Sequence, residues 1–192
     1  MGETVTFSCS CGQLAGEIAD VSPKSGVHAT CHCSSCRAAE VWLDQQDPVE
    51  DGVELFQTAP DKVTFTRGTE HLACLQLKEG SLMRWYAACC KAPLFNTTTT
   101  PKLAFASVRT PRLADTAALG PVVARAFMRQ PGGKDKHQGL SKFILGTAKR
   151  VLRGRLTGSW KRTPFFDTET MTPVATPRVL TSEERATLPL RR

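Results

Sequence analysis

A chain of 192 residues, 41% hydrophobic and 22% charged, has the makeup of one globular domain or of one domain with an appendage. No apolar run approaches the roughly 20 residues of a membrane span. The opening MGETVTFSCSCG lacks the basic and apolar regions of an export leader, so the expected compartment is the cytoplasm. The net charge of +7 is unevenly spread: residues 1–101 hold 7 Lys/Arg against 12 Asp/Glu, and residues 102–192 hold 18 against 6.

In chain order, the first hundred residues read as short strands joined by turns. Val5-Thr6-Phe7 leads into Cys9, residues 13–18 alternate loosely, and residues 27–31 form a third run. Residues 62–66 alternate polar and apolar with β-branched side chains. Residues 71–77 and 82–87 complete a hairpin across Lys78-Glu79-Gly80-Ser81. Residues 96–101 read as a polar junction, and a short strand follows at 103–108.

Beyond that point the character changes. Leu119, Val122, Val123, Ala126 and Phe127 recur at helical spacing, predicting a helix over 116–130 that ends at Pro131-Gly132-Gly133. A second helix is expected over 138–156. Leu140, Phe143, Ile144, Ala148, Val151 and Leu152 lie on its packed face, and Lys142, Lys149, Arg150 and Arg153 on the other. Thr181 to Glu184 has the form of a capping box before a last short helix. The expected division is a zinc-binding domain over 1–110 and a basic helical extension over 111–192.

Eight cysteines all lie in the acidic half: Cys9, Cys11, Cys31, Cys33, Cys36, Cys74, Cys89 and Cys90. Clustered thiols in a reducing compartment are more often metal ligands than disulfides. Cys31-His32-Cys33-Ser34-Ser35-Cys36 is the strongest signal. Residues 31 and 33 of an extended segment share a face, and a turn across the serines returns Cys36 to the same point. Three thiolates can then converge on zinc with a fourth position open, as a catalytic site requires. A purely structural zinc closed by another side chain is the rival. Cys9 and Cys11 offer a second pair, with Gly12 easing the turn. Cys89 and Cys90 are the remaining cluster that could close a four-thiolate structural site.

At these residues the chain resembles the glutathione-dependent formaldehyde-activating enzyme family, to which centromere protein V also belongs. The resemblance rests on C-x-C-G near the start, then C-H-C-x-x-C-R, then a cysteine knuckle before Pro-Leu-Phe, and it covers roughly residues 5–110. It implies a mainly β fold, with β-tent antiparallel sheets carrying zinc sites, one or two ions per chain. Cys31, Cys33 and Cys36 match the family's catalytic-type triple, and Cys9 and Cys11 match half of its structural site. The knuckle departs from the family's C-x-x-C-G. Alignment on Pro93-Leu94 places Cys90 at the second cysteine, Ala87 at the first and Lys91 at the glycine. Either Cys89 substitutes with a distorted backbone, or this site is three-coordinate or lost.

His32, between two candidate ligands, is expected to point away from them. Cys74 reads as a small buried hydrophobe, His71 as a surface residue, and Trp85 and Tyr86 as core. Arg37 could hold an anionic substrate group or lie solvated.

Two functions follow as expectations. The resemblance implies a carbon–sulfur lyase acting on a thiol–aldehyde adduct, with a small thiol such as glutathione as partner and Cys31, Cys33 and Cys36 as the catalytic set. The alternative is a non-catalytic zinc-stabilised module whose basic half contacts nucleic acid or a protein, although no nucleic-acid motif accompanies that charge.

Overall fold

Alternating burial along Glu3–Ser8 (β1) turns Val5 and Phe7 inward and their neighbours to solvent, as a half-covered strand requires. The computed structural model describes residues 2–131 and 134–190. β1 pairs antiparallel with Ala15–Val21 (β2), which pairs with Val63–Arg67 (β5) to make a three-stranded sheet. A nine-stranded sheet carries the rest of the architecture. Its middle is built from Val27–Cys31 (β3), Val53–Thr58 (β4), Leu72–Gln76 (β6), Met83–Ala87 (β7), Ala92–Thr97 (β8) and Ala106–Arg109 (β9). In spatial order these run β3-β4-β9-β8-β7-β6, with every neighbouring pair antiparallel. The expected mainly β fold is found.

Phe7 and Ile18 of the small sheet share one core with Trp85, Phe95 and Val108 of the large one. Phe7 meets Phe95 edge-on at 4.9 Å between ring centres, and Phe165 packs on Trp85 at 5.2 Å. Burying each large aromatic or aliphatic side chain contributes about 1.5–3 kcal/mol.

Both outer edges of the large sheet come from the C-terminal part of the chain. Ala124–Arg129 (β10) pairs parallel with β3 and antiparallel with Asp135–Gln138 (β11). Arg178–Val179 (β14) pairs parallel with β6. Phe166–Asp167 (β12) and Thr172–Pro173 (β13) form a separate two-stranded sheet, with Phe166 packed into the core beside Trp85. Among the described residues there are three α-helices: Ser34–Trp42 (α1), Leu140–Thr157 (α2) and Ser182–Ala186 (α3). The α3 capping box forms between Thr181 and Glu184 as expected. No helix among the described residues is long and apolar enough to cross a membrane.

Residues 116–130 do not form the expected helix. Ala124 and Ala126 are buried while Arg125 and Phe127 are exposed, the period of a strand. Parallel pairing with β3 satisfies their backbone, and tertiary pairing overrides the helical spacing. Of the proposed helix terminator, Gly132 and Gly133 lie outside the described residues. Residues 96–101 also differ from expectation, because β8 runs through Asn96 and Thr97. Asn96 Nδ2 and Ser107 Oγ on β9 sit 3.3 Å apart, giving the polar side chain a buried partner.

α2 forms where expected but is turned on its axis. Ile144, Leu145, Leu152 and Leu156 are 55%, 68%, 58% and 78% exposed, whereas Phe143, Thr147 and Arg150 are half-buried. The cause is close approach through glycine. A Cβ at Gly146 would fall 2.8 Å from Val27 Cγ2, and one at Gly154 would fall 2.8 Å from Ala104 Cβ. The face that carries the glycines docks, with Phe143 and Arg150 beside them, and the aliphatic face is left outside.

Candidate metal centres

Two groups of sulfurs assemble from the seven cysteines singled out in the sequence: Cys9, Cys11, Cys89 and Cys90 in one, Cys31, Cys33 and Cys36 in the other. Within each group the sulfurs lie within 4.8 Å of one another.

The four-sulfur group joins the two sheets. Cys9 and Cys11 follow β1 in a tight turn in which the Gly12 N–H donates to the Cys9 carbonyl, and Gly12 takes a left-handed φ of 75°. Cys89 and Cys90 sit in the turn between β7 and β8. There Lys91 adopts φ 54°, the conformation a glycine would take more readily. This backbone brings two adjacent cysteines to one point, so Cys89 and Cys90 both reach the group. Ala87 packs in the hydrophobic core.

Sulfur–sulfur separations are 3.5 Å for Cys9–Cys11, 3.4 Å for Cys11–Cys89, 3.8 Å for Cys9–Cys89 and 4.0 Å for Cys89–Cys90. Four sulfurs at the roughly 2.3 Å zinc–sulfur distance form a tetrahedron with edges of about 3.8 Å. The donor set and its spacing fit zinc. Burial pushes the Cys9 thiol up. The Leu14 N–H, at 3.3 Å from its sulfur, and the neighbouring thiols more than offset this and bring it down to about 6. Cys89 is pushed up to about 12, first by burial and then by its contacts with Cys11, Cys9 and Cys90.

The three-sulfur group is built at a strand-to-helix junction. Cys31 ends β3, Cys33 is the N-cap of α1, and Cys36 lies in its first turn. The Cys36 N–H donates to Cys33 Sγ at 3.4 Å, and Cys31 and Cys33 sulfurs are 3.4 Å apart. Hydrogen bonding from Cys31 and Cys36 draws the Cys33 thiol down to about 2, while the same contacts push Cys31 up. Three sulfurs gathered at a helix N-terminus are a ready metal-binding arrangement. Among the described residues no fourth Cys, His, Asp or Glu joins this group.

Arg84 is the functional neighbour that sequence reading missed. It is buried on β7, with Nη1 3.9 Å from Cys36 Sγ and 3.2 Å from Asn96 Oδ1, and Nη2 3.3 Å from Ser35 Oγ. Ser35 Oγ in turn lies 3.3 Å from Cys33 Sγ. Its signal was an arginine between Met83 and Trp85, a cation in an inward-facing strand.

The remaining candidates fall outside both groups. Arg37 is held by a two-pronged hydrogen bond to Asp47, at 2.7 and 2.6 Å, and is neither solvated nor free for an anion. His32 Nε2 is buried without a hydrogen-bond partner among the described residues, and its ring packs over Gly52. Cys74 is buried in the core, where burial pushes its thiol up to about 12. His71 is half-buried, with Nε2 3.8 Å from a Glu70 carboxylate oxygen. Trp85 is fully buried, and Tyr86 packs edge-on against Trp42 at 5.8 Å.

Comparison with the curated proteins finds no match. Among solved structures the chain is similar to a structural-genomics crystal structure of a Rhodobacter sphaeroides protein. The identity is 18% and the TM-score 0.45, covering 61% of this chain and 96% of that one. A model of a family of unknown function, DUF6151, matches residues 1–176, and the chain belongs to that family.

Proposed function

We propose that this member of DUF6151 is a zinc protein with a closed structural site and an open reactive one. Cys9, Cys11, Cys89 and Cys90 hold the structural ion; Cys31, Cys33 and Cys36 hold the reactive one. The proposed reaction is reversible carbon–sulfur bond formation between a small thiol such as glutathione and an aldehyde. The S–C bond forms as the thiol proton passes to the carbonyl oxygen. The likeness of the cysteine motifs to the formaldehyde-activating enzyme family supports this reading.

The observation that carries it is the contrast between four sulfurs at one site and three at the other. Bound at the triple, zinc supplies Lewis acidity and lowers the pKa of a thiol or hydroxyl held beside it. The chain's own groups organise that centre. Arg84 places a fixed positive charge next to Cys36, offsetting the crowding of thiolates. Its bond to Ser35 sets the hydroxyl against the Cys33 sulfur. Arg37 and Asp47 brace α1 from the side.

Zinc content and reaction rate together test this. Wild type is expected to hold two zinc ions per chain and to speed adduct formation between glutathione and formaldehyde, followed by NMR. Cys33→Ser should hold one zinc and lose the rate. Unchanged zinc content in Cys33→Ser sinks the reactive site, and a zinc-loaded wild type with no rate leaves a scaffolding module.

A further inference from the structure

We propose that the groove between α2 and the loop joining β2 to β3 binds a phosphate-bearing anion, a site separate from both cysteine groups. The groove has a volume of about 740 Å³, within the range of small-molecule sites, and no cysteine lines it. Val27, at one end of β3, is in its wall, and Cys31 is at the other end of that strand.

Its charge is the argument. Lys24, Lys62, Lys142, Lys149, Arg150 and Arg153 line it against two carboxylates, Asp20 and Asp61. Both carboxylates have partners already: Lys62 at 3.6 Å from Asp20, and Arg162 at 3.7 Å from Asp61. The other five cations have no carboxylate within ion-pairing distance among the described residues. Four of them belong to α2, a helix with five Lys/Arg and no Asp or Glu.

Arg150 shows the cost most clearly. Its Nη2 donates to the Gln57 Oε1 at 2.9 Å, while its Nε is buried without a hydrogen-bond partner among the described residues. Burial pulls this guanidinium down to about 10. A fold that gathers this much uncompensated charge in a concavity is complementary to an anion of several charges. Arginine and lysine together are the side chains that suit phosphate. One carboxylate would leave most of the cations unanswered; a di- or triphosphate group would not.

The phosphate can come from a soluble compound or from a lipid headgroup. Ile144, Leu145, Leu152 and Leu156 lie exposed on the same helix that supplies the cations, so the two sources are separated by experiment. Calorimetric titration of the full chain with pyrophosphate and with orthophosphate is one arm. Co-sedimentation with phosphatidylcholine vesicles, with and without phosphatidylglycerol, is the other.

Lys142→Ala/Lys149→Ala changes two exposed side chains and should leave the circular dichroism spectrum unaltered. Pyrophosphate binding tighter than orthophosphate, and weakened about tenfold or more in this double variant, supports the site with a soluble ligand. Sedimentation only with phosphatidylglycerol vesicles, lost in that variant and in Leu145→Ser/Leu152→Ser, supports it with a lipid headgroup. Absence of binding to both probes at low salt overturns the proposal, as does binding that the lysine variant leaves unchanged. Neither arm depends on zinc or on the lyase reaction.

Discussion

Arg84 and Cys36 meet in the interior, Nη1 lying 3.9 Å from the sulfur and both side chains buried. A cation fixed beside a crowded set of thiolates favours their charged form. Arg84→Met should therefore lower zinc affinity at the Cys31 group by about tenfold and leave the Cys9 group unaffected. Competition with a chromophoric chelator resolves the two ions. Asn96 and Ser35 lose their shared donor in this variant, at a cost of about 1–3 kcal/mol seen in chemical denaturation. Two ions weakened equally would show that Arg84 acts on the fold and not on one centre.

The four-sulfur group ties the three-stranded sheet to the β7–β8 turn of the large one, so its loss should weaken the whole molecule. Cys89→Ser is expected to lower the melting temperature by about 10 °C or more, a larger drop than Cys33→Ser produces. Stripping metal with a strong chelator should bring wild type down to the level of the weaker variant. Equal melting temperatures for the two variants would contradict the division into structural and reactive sites.

Gly12 and Lys91 occupy equivalent left-handed positions after Cys11 and Cys90. Only one of them is suited to it. Lys91→Gly should raise stability by up to about 1 kcal/mol, and Gly12→Ala should lower it by about 1–2 kcal/mol. Urea denaturation of the zinc-loaded forms measures both. A destabilised Lys91→Gly would mean that the surface pair between Lys91 and Asp44, at 2.7 Å, outweighs the backbone.

The Arg37 guanidinium beside Asp47 holds that carboxyl below its usual range. A carboxylate depressed in the folded state stabilises the protein above its unfolded pKa, and that contribution is lost as pH falls through the folded value. Asp47→Asn should melt earlier than wild type near neutrality. The gap should close as pH drops below about 4. A gap independent of pH would assign the effect to packing.

A chain ending at residue 110 leaves β3 and β6 as bare edges, because β10 and β14 normally cover them. Such a fragment is expected to self-associate, as exposed edge strands do. Sedimentation velocity at several concentrations would show this, and a stable monomer would refute it.

The strands and the cysteine triple were legible because their signals are local. Val27–Cys31 has continuous β character, and Cys31, Cys33 and Cys36 lie within six residues. Cys89 could not be placed from sequence, since two adjacent side chains normally diverge and only the Lys91 backbone shows how they meet. Residues 124–129 misled because Ala126 and Phe127 fall at helical spacing with Leu119, Val122 and Val123, and only the neighbour β3 decides for a strand. The face of α2 was misread for a related reason. Glycine carries no hydropathy signal, yet Gly146 and Gly154 decide which side comes closest to the sheet.

Because residues 178–179 complete one margin of the large sheet, an unfinished chain leaving the ribosome carries β6 unprotected until nearly all of this sequence has emerged. The cysteines are by then long since synthesised. Early capture of an ion by Cys9, Cys11, Cys89 and Cys90 would hold the two sheets in register during that wait. Metal supply would then set how much newly made polypeptide escapes aggregation.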